Sequence, residues 1–120
     1  MANAKGSLPK LLEIDGCLGA CIVDSNSGMT LGSTGSGVDL EVAAAGNTEV
    51  VRAKRKTMRA LNLHDTIEDI LSTLGKHYHL IRPLASNDAP FIYLVLDKPR
   101  ANLAMARLQL RQIEKDLVVG

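Results

Sequence analysis

Apolar residues recur along this chain in two rhythms, one helical and one extended. Leu8, Leu11, Leu12 and Ile14 keep a helical spacing. Ser7 is placed to cap that helix, and Pro9 falls in its first turn, where proline is tolerated. Asp15-Gly16 ends it. Residues 17–23 are compact, small and apolar and read as a strand. Residues 24–28 are a dense turn cluster, and residues 29–33 form a second strand, which together make a hairpin. Ser36 followed by Asp39 has the form of a capping box, so a helix starts near Gly37. It runs to about Leu63, roughly 25 residues, which is long for a small domain. Residues 66–73, 77–84 and 90–97 read as three more strands, with turns at Gly75-Lys76 and Ser86-Asn87-Asp88. Pro99 opens a last helix, in which Leu103, Ala106, Leu110, Ile113 and Leu117 keep a clean alternating spacing.

The element order is α-β-β-α-β-β-β-α, a mixed α/β (α+β) domain. Short turns join the strands in two groups, so most of the sheet is expected to be antiparallel, with the long helix as the single crossover. Residues 1–6 read as a disordered tail and residues 7–120 as one domain.

The long helix carries more pattern than one sheet contact requires. Leu40, Ala43, Ala44, Asn47, Val51 and Met58 make a stripe suited to the domain's own sheet. Beside it run Gly46, Val50, Ala53, Thr57 and Ala60, with the spacing of a coiled-coil seam built from small residues. The terminal helices are needed on the opposite face of the sheet. A second copy of the long helix is therefore the expected partner. The following strand, Thr66, Ile67, Glu68, Asp69, Ile70, Leu71, Ser72 and Thr73, opens a new group straight after the crossover and is a natural edge. An apolar edge without proline invites pairing with its own copy.

Charge adds a second surface. Arg52, Arg55, Lys56 and Arg59 share one side of the long helix with Glu41, Thr48 and Glu49. They read as a solvated face, or as a docking patch for an acidic partner. The net charge is only +1, so bulk electrostatics draw neither nucleic acid nor anionic membrane. With Tyr78, Phe91 and Tyr93 as the only aromatics, stacking faces for bases are also scarce. No apolar run reaches the roughly 20 residues of a membrane span, and no secretory leader is evident. The expected location is the cytoplasm.

The chemistry-bearing residues form no convincing constellation. Gly32 to Gly37 lies between a strand and a helix, where phosphate loops sit. It lacks both the G-x-G-x-x-G pattern and a terminal Lys-Ser/Thr. His77 and His79 point to one face of a strand and could share a metal with His64 or the cysteines, but no third ligand is set by spacing. Cys17 and Cys21 on one strand stand roughly 13 Å apart, too far for a disulfide, and read as small buried thiols. There is no nucleophile elbow and no acid–base pair. No catalytic residue, cofactor or metal is expected.

Four stretches together resemble the Roadblock family in its bacterial form: "LGACIVDSNSGMTLGS", "DLEVAAAGNTEVVRAKRKTMRAL", "IEDILSTLGKHYHLIRPL" and "FIYLVLDKPRANLAMARLQLRQIEKDL". The profilin-like layers of that family imply a five-stranded antiparallel sheet. The long helix would cover one face and both terminal helices the other. The resemblance also implies a homodimer in which third strands pair edge to edge and long helices lie side by side. The function it implies is a non-enzymatic interaction module that regulates or scaffolds a small Ras-like GTPase or a related signalling or motility complex. A small-ligand or metal-sensing domain is the alternative from a different class.

Overall fold

The computed structural model describes residues 3–119. Its elements are α1 (Ala4–Leu12), β1 (Cys17–Asp24), β2 (Met29–Gly35), α2 (Leu40–Ala60), β3 (Ile70–Thr73), β4 (His77–Pro83), β5 (Pro90–Asp97) and α3 (Leu103–Asp116). The order matches the one read from the hydrophobic pattern. The strands form one sheet in the order β2-β1-β5-β4-β3, and every neighbouring pair is antiparallel. β5 is the centre, which explains why it is buried almost throughout. β2 and β3 are the two edges.

Alternation along the strands sorts the core into two layers. Ala20, Ile22, Leu80, Ile92, Leu94 and Leu96 face α1 and α3, where Leu8, Leu11, Ala106, Leu110 and Leu117 meet them. Cys21, Val23, Ile81, Phe91, Tyr93 and Val95 face α2, which contributes Ala44 and Val51. One long helix on one face and two terminal helices on the other is the expected arrangement.

Helix ends depart from expectation where a different side chain takes the cap. Asn3, not Ser7, caps α1, its Oδ1 accepting from Gly6 N at 2.8 Å. Ala4, Lys5 and Gly6 are therefore helical and not a tail; Met1 and Ala2 of the expected 1–6 tail lie outside the described residues. Ser7 is buried one turn inside the helix. Asp39 caps α2 by accepting from Glu41 N and Val42 N at 3.1 and 3.2 Å. That helix stops at Ala60, earlier than Leu63, because Asn62 adopts φ 56° and Leu63 N bonds back to Met58 O at 2.9 Å. This is the closure that asparagine permits after a helix.

β3 is also shorter than expected. Thr66, Ile67, Glu68 and Asp69 lie outside it, and only Ile70, Leu71, Ser72 and Thr73 pair with β4. Two arginines divert the chain. Arg107 on α3 holds the Asp69 carboxylate through two hydrogen bonds of 2.9 and 3.0 Å. Arg82 donates to the Glu68 carbonyl at 3.1 Å, and the next residue of β4, Pro83, has no N–H to offer a ladder.

Candidate interaction surface

The orientation of α2 decides which residues face outward. Ala44, Thr48 and Val51 are its buried positions, Thr48 being only 1% exposed. Helical spacing puts Thr48 on the polar side, and the fold corrects this. Its hydroxyl donates to Ala44 O at 2.7 Å, which lets it pack without an unmet polar group. The predicted stripe of Leu40, Ala43, Ala44, Asn47, Val51 and Met58 does face the sheet, each member being buried or half-buried, and Thr48 widens it toward the basic side. At about 100° per residue, Gly46, Val50, Ala53, Thr57 and Ala60 lie roughly half a turn from Ala44, Thr48 and Val51. All five are exposed, Val50 by 42%. A Cβ added at Gly46 would meet nothing within 4 Å.

One flank of this seam borders an open trough. Val50, Ala53, Lys54 and Thr57 form one wall, and Asp69 and Ile70 at the start of β3 form the other, enclosing about 560 Å³. β3 itself has β4 on one side and, among the described residues, no strand on the other. The seam and the free edge thus adjoin each other, although helical spacing points to the one and strand order to the other.

Two residues of the basic side reach back to the domain. Arg52 donates to the carbonyls of Ser25 and Asn26 at 2.8 and 2.9 Å, and to Glu49 at 3.0 Å. Arg55 donates to the Asp88 carbonyl at 2.7 Å. These two arginines tie α2 to the β1–β2 and β4–β5 turns and are not a free solvated face. Lys56 and Arg59 are exposed. Arg55 and Arg59 also line a groove of about 440 Å³ with Met58, Leu63, Ile67 and Leu84, where Asp65, Glu68 and Asp88 balance their charge.

The remaining chemical candidates disperse. Gly32, Ser33, Thr34 and Gly35 are strand residues paired with β1 and are not a phosphate-cradling loop. Cys17 and Cys21 are free thiols on β1; burial pushes them up to about 11 and about 12, far from a reactive thiolate. His77 and His79 share the α2 face of β4 and stack at 5.8 Å between ring centroids. Among the described residues, no three His, Cys, Asp or Glu side chains are grouped to hold a metal ion. No described helix is long and apolar enough to cross a membrane. The signal missed from sequence is the pair of ties from α3 to the β3 side, Arg107–Asp69 and Arg82–Glu114, whose partners are 38 and 32 residues apart.

Comparison of the sequence with protein-family profiles and with curated proteins finds no match. Solved structures do match. A Roadblock/LC7 domain from Streptomyces avermitilis superposes with a TM-score of 0.80 at 9% identity, covering 95% of this chain and 93% of that one. MglB from Myxococcus xanthus gives 0.79 at 15% identity over 91% of this chain and 86% of that one. The gliding protein MglB from Thermus thermophilus gives 0.79 at 15% identity over 93% and 83%. With a five-stranded antiparallel sheet between one long helix and two terminal ones, and agreement over nearly the whole chain, this protein has the Roadblock/LC7 fold.

Proposed function

We propose that this chain is a non-enzymatic interaction module that works as a homodimer in the cytoplasm. The observation that carries the reading is the adjacency of the exposed α2 seam, the open trough and the unpaired β3 edge. A second copy related by a two-fold axis would pair β3 with β3 and lay α2 beside α2, closing the assembly without further growth. The small side chains at Gly46, Ala53 and Ala60 permit close helix approach. One solved neighbour is an MglB with a tetrameric arrangement, so a chain of this fold does associate.

The finer reading is that the dimer regulates or scaffolds a small Ras-like GTPase or a related signalling or motility complex. The fold likeness to the MglB proteins supports it. The exposed Lys56 and Arg59 are the remaining candidates for docking an acidic partner surface.

Sedimentation velocity at micromolar concentration tests the dimer. Ala53→Glu places two carboxylates against each other near the seam and should shift the protein to monomer, since unpaired charges in a closed interface are strongly unfavourable. A wild-type monomer would overturn the reading. A dimer indifferent to Ala53→Glu would place the interface elsewhere. Affinity capture from the native cell, repeated with Lys56→Glu and Arg59→Glu, tests the partner.

A further inference from the structure

The α2 face of the sheet carries one polar chain in an otherwise apolar layer. Tyr93 on β5 is 1% exposed, and its hydroxyl lies 3.0 Å from Nδ1 of His79 on β4. The Asn47 side chain on α2 lies close to the same hydroxyl. The His79 ring meets Tyr93 edge-on and stacks on His77. Its other nitrogen, Nε2, is buried and has no hydrogen-bond partner among the described residues.

A neutral imidazole leaves one polar atom unmet at that point, whichever tautomer it adopts. An imidazolium donates from both nitrogens. The second N–H would then be a buried, charged donor with no acceptor, which is strongly disfavoured. The carboxylate on the same face, Asp97 of β5 opposite His77, is already paired with Arg100. On its own strand the titratable neighbour is His77. β5 contributes Tyr93, with Cys21 of β1 behind it, and burial pushes each of these up to about 12, so both stay protonated and neutral. β3 presents the neutral Ser72 opposite His79, and α2 the neutral Asn47. Lys54 and Asp69 line the nearby trough, but Asp69 is already paired with Arg107. Burial first, and His77 second, hold His79 below the ordinary histidine range.

We infer that His79 is a proton-operated release for α2: a proton taken up by this ring places an unmet charged donor in the layer beneath the helix and loosens the helix from the sheet. The folded-state shift is downward, so the neutral ring stabilises the docked helix. That contribution is present above the ordinary value of 6.5 and is lost as pH falls below it. Because α2 carries the exposed seam, acid would also weaken self-association. That consequence rests on the homodimer reading, whereas the loosening of α2 does not.

The experiment is an NMR titration of the imidazole nitrogens, with amide exchange of Ala44, Thr48 and Val51, from about pH 7.5 to about pH 5. The His79 ring should still read as neutral at about pH 6.5, where a free histidine is half protonated. After correction for intrinsic exchange, the α2 amides should open faster at the acid end, because the proton binds the loosened state more tightly than the docked one. His79→Gln should abolish that acceleration, and His77→Gln, which removes the like charge, should reduce it. An ordinary His79 titration with unchanged α2 exchange would overturn the proposal, as would the same acceleration in His79→Gln. If that variant does not fold, the wild-type ring titration decides. Sedimentation of the same samples separates the two readings: α2 loosening in a protein that is monomeric at every pH would sink the homodimer and leave the release standing.

Discussion

Arg107 on α3 and Asp69 before β3 form a two-pronged ion pair, Nε to Oδ2 at 2.9 Å and Nη2 to Oδ1 at 3.0 Å. The planar guanidinium matches both carboxylate oxygens, so the contact sets direction as well as distance. Asp69 therefore turns toward α3 while Ile70, one residue on, packs with the α2 layer. The free edge of the sheet begins at that point. A helix on one face thus sets where the edge on the opposite side of the domain becomes available.

Removing that grip should be felt mainly at the edge. Arg107→Ala is expected to destabilise the fold by about 1 kcal/mol, since the pair is partly exposed and solvent screens it. Urea denaturation measures that loss. Amide exchange at Ile70 and Leu71 should rise more than at Leu94. Equal increases at all three would show that the pair supports the whole domain and not its edge.

The Arg82–Glu114 pair predicts a larger effect. Its side chains are 14% and 8% exposed, and Glu114 also accepts from Ala85 N at 2.9 Å. Glu114→Ala would strand a largely buried guanidinium, left with the Glu68 carbonyl as its partner. A loss of about 3–5 kcal/mol is expected, by thermal or urea unfolding. A loss as small as that of Arg107→Ala would mean water replaces the carboxylate at little cost.

The four basic residues of α2 should divide into two classes. Arg52→Ala removes hydrogen bonds to Ser25 and Asn26 carbonyls and should cost about 1 kcal/mol or slightly more. Lys56→Ala should stay within about 0.5 kcal/mol. Parallel melts of the two variants check this, and equal behaviour would refute the clamp assigned to Arg52.

Two glycines give opposite expectations. Gly35 sits at φ +82°, and a Cβ there would lie 2.3 Å from the Leu18 carbonyl oxygen. Gly35→Ala should destabilise by about 3 kcal/mol from backbone strain and overlap. Gly46 has open space around it within one chain. Gly46→Ala should stabilise an isolated α2 by up to about 1 kcal/mol through helix propensity. In a close-packed dimer the same methyl should weaken association. Measuring stability and dissociation together on this one variant reports whether anything lies against the seam.

Local pattern determined a large part of this protein. Spacing alone places eight elements in order, because each buried face leaves a period of its own, 3.6 residues for α3 and two for the strands. The strand at residues 90–97 is legible to both its ends, since Pro90 and the turn before it mark one and Asp97 the other. The exposed seam of α2 is also legible, because small residues at 4-3-4-3 spacing have few other uses on a soluble helix. Tertiary structure decided what depends on partners far apart in the chain. The period of α2 records which side faces the sheet, but not that Thr48 joins the core or that Arg52 and Arg55 reach two turns. The length of the free edge is set by Arg107 and Arg82, which reach residues 38 and 14 positions away. The Tyr93–His79 contact joins β5 to β4, and only the fold brings the two side chains together. Periodicity reports which face of an element is buried. The stopping point and the polar contacts come from long-range pairs, whose sequence separation leaves no local trace.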